Sequence, residues 1–156
     1  MSPDDRRDLI TRYAEGPQKL SEALAEVPEE ALQWRPAPGK WSVHEVIVHC
    51  ADSETNAHGR IRTLVAEKDP VIIGYDQDEW ARRFDYHARS IGAALVTVEA
   101  VRANTVPILE SLTDADWKKI TAAERWPVGV TAHHVAGAHE PIAGIVQTLA
   151  SGQSIP

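Results

Sequence analysis

The stretch QDEWARRFDYHARSIGAALVTVEAVRANTVPILES, residues 77–111, decides the fold class of this chain. From its first tryptophan onward, apolar or core-compatible residues recur at alternating spacings of four and three. These residues are Trp80, Phe84, His87, Ile91, Ala94, Val98, Val101, Thr105, Ile108 and Leu112. Such spacing is typical of a helix packed in a bundle. With Asp76 and Asp78 as cap and first-turn negative charge, it predicts one long helix over residues 77–111, weakened near its end by Pro107.

Two further helices are predicted before this stretch. Ser42 followed by Glu45 is a capping box, which starts a helix that ends near residues 69–70, Asp-Pro. An N-terminal helix is expected over residues 4–26, interrupted or bent at the Gly-Pro pair of residues 16–17.

Helical patterns continue after the long stretch. Thr113 is expected to cap a short helical turn over residues 114–119, and a last helix is expected over residues 128–150. Strand patterns are weak throughout, so the chain is predicted to be an all-α four-helix bundle, joined by loops of which one is long. The length of 156 residues fits one domain spanning residues 1–156.

The composition indicates which classes of partner and which cellular compartment to expect. The chain has 16 basic and 23 acidic residues and a formal charge of −7, without the basic stripe of a nucleic-acid-binding protein. No apolar run reaches the length of a membrane span, and the acidic N-terminus is unlike a signal peptide. The single cysteine, Cys50, is expected to be a buried, inert thiol. We therefore expect a cytoplasmic protein that binds neither nucleic acid nor membrane.

Seven histidines suggest metal or acid–base chemistry. His49 lies beside the apolar stripe of its helix, with Glu45 and Asp52 one turn away on either side. Either carboxylate could accept the second ring N–H and fix the tautomer, as metal-bound histidines require. The alternative is a half-buried helix histidine without a metal.

The other histidines are less clearly placed. His134 and His139 are five residues apart, about 140° around a helix axis, so an undistorted helix cannot aim both at one ion. His87 is expected to be a core histidine with one hydrogen bond. His44 and His58 are expected on the surface.

Residues 32–54, LQWRPAPGKWSVHEVIVHCADSE, resemble the DinB-like (YfiT-like) superfamily of metal-dependent four-helix bundles. The resemblance rests on a Trp-Arg-Pro turn, a Gly-Lys-Trp-Ser-Val helix start and a His-x-x-Asp-Ser-Glu segment within that helix. Residues 75–80, residues 109–117 and a Trp-Pro-Val-Gly segment at residues 126–129 follow in the same order, so the similarity spans nearly the whole chain.

The resemblance implies a fold and a chemistry. It implies an up-down-down-up bundle with a long crossover connection, often a homodimer, whose three histidines bind zinc, nickel or another divalent metal. The superfamily includes thiol-dependent enzymes, among them mycothiol-dependent maleylpyruvate isomerase and bacillithiol transferases. The implied substrate is a small molecule or a low-molecular-weight thiol.

By position, the resemblance assigns three metal-binding histidines, of which this sequence has only two. His49 matches the first histidine and His139 the second, whereas Ala143 stands where the third is expected; His134 and Glu140 are the alternative candidates for the third ligand. Catalytic zinc sites usually have three protein ligands. Three hypotheses follow: a metal-dependent thiol transferase, isomerase or hydrolase; a dimeric binding module that has lost the metal; and a pH sensor based on the seven histidines.

Overall fold

Helices form every regular element in the part of the chain that the structure, a computed structural model, describes: residues 2–118 and Thr148. The elements are α1 (Pro3–Ala25), a 3₁₀ turn (Glu29–Ala31), α2 (Val43–Ala66), α3 (Gln77–Arg83), a second 3₁₀ turn (Tyr86–Ala88), α4 (Ile91–Ser111) and α5 (Asp114–Lys118). The predicted last helix, residues 128–150, lies outside the described residues except for Thr148, which is helical.

Capping side chains start the helices; the caps at Ser42 and Asp76 confirm the predictions, whereas those at Ser2 and Ser90 were not predicted. The caps are Ser2 for α1, Ser42 for α2, Asp76 for α3 and Ser90 for α4. At α2 the capping box is complete: Ser42 Oγ accepts from Glu45 N at 3.2 Å, and Glu45 Oε2 accepts from Ser42 N at 2.9 Å. The N-terminal helix passes through Pro17, so the expected interruption there is wrong.

The prediction of one helix over residues 77–111 is also wrong. α3 ends at Arg83, and α4 begins only at Ile91. Residues in the break bond to α2 instead of continuing a helix: Tyr86 OH donates to Asp52, and the Arg89 carbonyl contacts His44 Nε2 at 2.8 Å. The apolar spacing continues across the break because the segments on both sides of it face the same core.

Two core clusters establish the direction of the helices. The first cluster joins the C-terminal part of α1 to the N-terminal halves of α2 and α4 through Leu20, Ala23, Val43, Ile47, Ala94 and Val98. The second joins the N-terminal part of α1 to the C-terminal halves of α2 and α4 through Leu9, Tyr13, Ala57, Ile61 and Leu109. α2 and α4 are therefore parallel to each other and antiparallel to α1, and the connection over residues 67–90 crosses the length of the bundle.

α4 lies between α1 and α2, which contact each other far less than either contacts α4. α1 and α2 thus lie on different sides of α4. By length and composition alone, α4 is the one helix of residues 2–118 that could cross a membrane, a test that the core helix of a soluble bundle also passes.

Candidate metal site

Among the residues that the structure describes, His49 has a buried ring nitrogen without a hydrogen-bond partner. The side chain is half-buried on α2, its Nδ1 is buried and unpartnered, and the Trp41 ring meets it edge-on with 4.7 Å between ring centroids. Burial lowers the pKa of His49, against the opposing influence of the charges on Asp52 and Asp78. The imidazole is therefore held in the neutral form, which is the form that binds a metal ion.

Asp52 and Tyr86 form a hydrogen-bonded pair next to His49. Tyr86 is 1% exposed and its OH donates to Asp52 Oδ2 at 2.5 Å. Burial, reinforced by the carboxylate of Asp52, raises the pKa of Tyr86 strongly, so the phenol stays protonated and acts as a donor. The Trp41 and Tyr86 rings are 6.3 Å apart, so the pair and the tryptophan border the same side of α2 as His49.

Glu45, the other carboxylate considered as an orienting partner of His49, is engaged elsewhere. Arg35 donates to both of its oxygens, with Nε to Oε2 at 2.8 Å. Burial would raise the pKa of Glu45, but the Arg35 guanidinium, the Ser42 N–H and the His87 ring outweigh it, and the pKa is lowered. Neither Glu45 nor Asp52 bonds to the buried Nδ1 of His49.

A partly open cavity of about 530 Å³ is lined in part by Trp41 and Tyr86. Its lining also includes Lys40, Asp78 and His87. Trp41 lines this cavity and also contacts the His49 ring, whereas His49 itself is not among the lining residues. The cavity is large enough for a small molecule.

The remaining predicted ligands cannot be placed against His49. His134, His139, Glu140 and Ala143 all lie outside the described residues, so their convergence with His49 stays a prediction. Over residues 2–118 and Thr148, no three His, Cys, Asp or Glu side chains form a group that could hold a metal ion. A site at His49 would need further ligands from the rest of the chain.

Two histidines expected on the surface are not there. His44 is buried and bonded to the Arg89 carbonyl, and His58 is half-buried with its Nδ1 2.8 Å from Thr105 Oγ1. The surface prediction is wrong for His44, whose ring bonds to the chain in the break before α4, and only partly right for His58, whose ring bonds across the interface between α2 and α4.

The structure agrees more closely with the predictions for His87 and Cys50. His87 Nε2 lies 2.8 Å from Ser42 Oγ, the single hydrogen bond expected of it, although the ring is only partly buried. Cys50 is buried as predicted, and burial raises its pKa to about 12, so its thiol is inert.

A buried ionic cluster at Arg102 was not predicted from the sequence. Arg102 Nη2 donates to Glu54 Oε1 at 2.5 Å and Nη1 to the Tyr13 carbonyl at 2.6 Å, while Tyr13 OH donates to Glu54 Oε2 at 3.0 Å. The sequence feature that could have indicated this cluster is a charged residue at a largely apolar position in each of two helices, Glu54 in α2 and Arg102 in α4. The cluster ties α1, α2 and α4 together.

Comparison with known proteins identifies relatives of this chain. Residues 12–100 match the sequence profile of the DinB superfamily. A protein of Geobacillus thermodenitrificans is 30% identical over 121 residues, 78% of this chain and 68% of that protein. One of Oceanobacillus iheyensis is 33% identical over 112 residues, 72% of this chain and 64% of that protein. Both carry the name "Putative metal-dependent hydrolase".

A solved structure is similar over nearly the whole chain. It is YfiT from Bacillus subtilis, described as "a probable metal-dependent hydrolase with an unusual four-helix bundle topology". The TM-score is 0.84 at 24% sequence identity, covering 99% of this chain and 91% of YfiT. This likeness confirms the predicted all-α four-helix bundle.

Proposed function

Because this chain belongs to the DinB superfamily, we propose that it is a divalent-metal-dependent enzyme in which His49 supplies one metal ligand. The observation that carries the proposal is the buried, unpartnered Nδ1 of a neutral imidazole at the position of the family's first histidine. Buried polar atoms in proteins almost always have a partner, and a metal ion bound to this nitrogen would supply one. Neutral imidazole is the commonest metal ligand in proteins.

The proposal extends to the rest of the ligand set and to the reaction. His139 and His134 are the proposed further ligands, with Glu140 as the alternative to His134, and zinc or nickel is the proposed ion. When bound, the ion would act as a Lewis acid or lower the pKa of a bound water or thiol. Hydrolysis, thiol transfer and isomerisation are all compatible with this chemistry.

The chain's own residues prepare the site for that chemistry. Burial keeps the His49 ring unprotonated, and Trp41, which contacts that ring, also lines the 530 Å³ cavity. Substrate is proposed to approach through this cavity. A homodimer in the cytoplasm is proposed as the working form.

Calorimetric titration of metal-free protein with Zn²⁺ and with Ni²⁺ tests the proposal. The unchanged protein should bind one ion with micromolar or tighter affinity, and His49→Ala should lose binding by at least 100-fold. His58→Ala is the matched control, because His58 is also a half-buried histidine of α2 but is bonded to Thr105. Affinity no tighter than millimolar in the unchanged protein would contradict the proposal.

A metal-free binding module is the second candidate, favoured by the alanine at residue 143 where the family resemblance expects a histidine. In this case His49 would be a relic in a polar pocket. His49→Ala would then lower the melting temperature without changing ligand affinity, whereas stoichiometric metal in the isolated protein would exclude this function. The pH-sensor hypothesis ranks last, and unchanged stability and oligomeric state between about pH 5 and pH 7 would exclude it.

A further inference from the structure

The hydrogen bond between Tyr86 and Asp52 places a negative charge next to the candidate metal ligand. Asp52 is three residues after His49 on α2, so both side chains lie on one face of the helix. No basic side chain of residues 2–118 forms a salt bridge with the Asp52 carboxylate. Its described hydrogen bond comes from Tyr86 OH.

The chain departs from its helical pattern in the segment that brings Tyr86 to Asp52. The residue before it, Asp85, has a left-handed backbone with φ of 46°, the only such non-glycine residue among those described. A backbone of this kind is strained and persists where the surrounding structure requires it. Here it turns the chain between α3 and α4 so that the phenol becomes buried against α2.

We propose that Tyr86 and Asp52 form a positioning pair, which fixes a negative charge beside His49 and so favours the binding of a divalent cation there. The proposal rests on the proposed function for the identity of the cation. A carboxylate held by a phenol is restrained beside the ion, and its attraction to the ion is stronger than in water because the site is partly buried.

The chain contains a matched control for this pair. Tyr13 OH donates to Glu54 at 3.0 Å, so a second buried tyrosine also bonds a carboxylate of α2. The charge of Glu54 is already balanced by Arg102 at 2.5 Å. Tyr86→Phe and Tyr13→Phe therefore each remove one hydroxyl group that bonds a carboxylate of α2. Only in Tyr86→Phe does that carboxylate lie beside His49 without a salt bridge to a described basic side chain.

The experiment compares Tyr86→Phe, Asp52→Asn and Tyr13→Phe by titration with Zn²⁺ and by ¹⁵N NMR of the His49 ring in metal-free protein. Tyr86→Phe and Asp52→Asn should each weaken Zn²⁺ binding by about 10–100-fold, the usual effect of losing a group that supports a ligand. Both should also change the two ring-nitrogen shifts of His49. Tyr13→Phe should leave the affinity within about threefold and the shifts unchanged.

The NMR result separates this proposal from the proposed function. If the unchanged protein binds no Zn²⁺ but the His49 shifts move in Tyr86→Phe and not in Tyr13→Phe, the pair acts on His49 and only the metal assignment fails. Unchanged His49 shifts in Tyr86→Phe, or equal changes in both tyrosine variants, would overturn the positioning pair. Asp52→Asn, which preserves side-chain size, decides the matter if Tyr86→Phe does not fold.

Discussion

Replacing Arg102 by methionine should destabilise the protein more than any surface change. Arg102 and Glu54 are each 1% exposed, and the guanidinium also lies 4.2 Å from the centre of the Tyr13 ring. Methionine keeps much of the length and the apolar contacts of the arginine stem. The substitution leaves the carboxylate of Glu54 buried without the cation that balances it.

The size of the effect follows from this burial. Removing one partner of a buried ion pair costs about 3–5 kcal/mol, a large part of the roughly 5–15 kcal/mol that stabilises a typical domain. With an m-value of about 2 kcal/mol/M, the urea midpoint of Arg102→Met should fall by about 1.5–2.5 M. Urea unfolding followed by circular dichroism measures this shift directly.

A double variant separates the lost charge from lost packing. Glu54→Gln combined with Arg102→Met removes both charges, so the pair of substitutions should cost less than the sum of the two single substitutions. A loss below about 1 kcal/mol in Arg102→Met would refute the reasoning, since that is the range of an exposed pair. Strict additivity in the double variant would also refute it.

Three further predictions concern the first half of α2. Ser42→Ala should cost about 1–2 kcal/mol in urea unfolding, because the helix loses its cap and His87 its hydrogen-bond partner; a change below a few tenths would contradict this. Cys50 should resist alkylation at pH 8 until the protein is unfolded, because burial raises its thiol pKa to about 12; labelling of the folded protein at the rate of a free thiol would show otherwise. Glu45 has a folded-state pKa below its ordinary value of 4.5, so the stability it contributes is present above that value and is lost as the pH falls through the lowered pKa. The difference in unfolding free energy between the unchanged protein and Glu45→Gln should therefore be constant near neutral pH and shrink in acid. A difference that grows in acid would contradict the conclusion that the Arg35 ion pair lowers the pKa of Glu45.

Local signals predicted the helix starts well. The capping box of Ser42 and Glu45 and the cap at Asp76 are encoded within a few residues, and the structure contains both. The break before α4 was not predicted, because the apolar spacing continues through it and the contacts with α2 that help to stabilise it come from distant residues. Ser90, which caps α4 by accepting from Ala93 N, was the one local sign that a new helix begins there.

The surroundings of the candidate site were only partly predictable. The spacing of His49 and Asp52 on one helix face follows from helical geometry, but the Tyr86 hydroxyl that binds Asp52 comes from a segment 34 residues away. In the same way, Glu54 and Arg102 are 48 residues apart, and neither position indicates the other. Pairings at such separations depend on how the helices pack, which local patterns do not determine.

The metal content of the isolated protein tests the central claim most directly. Elemental analysis should be carried out on the unchanged protein, His49→Ala and His58→Ala, each produced without added metal and purified without a chelator. The account predicts near-stoichiometric zinc or nickel in the unchanged protein and in His58→Ala, and almost none in His49→Ala. A folded, unchanged protein without a divalent metal, or equal metal in His49→Ala, would contradict it.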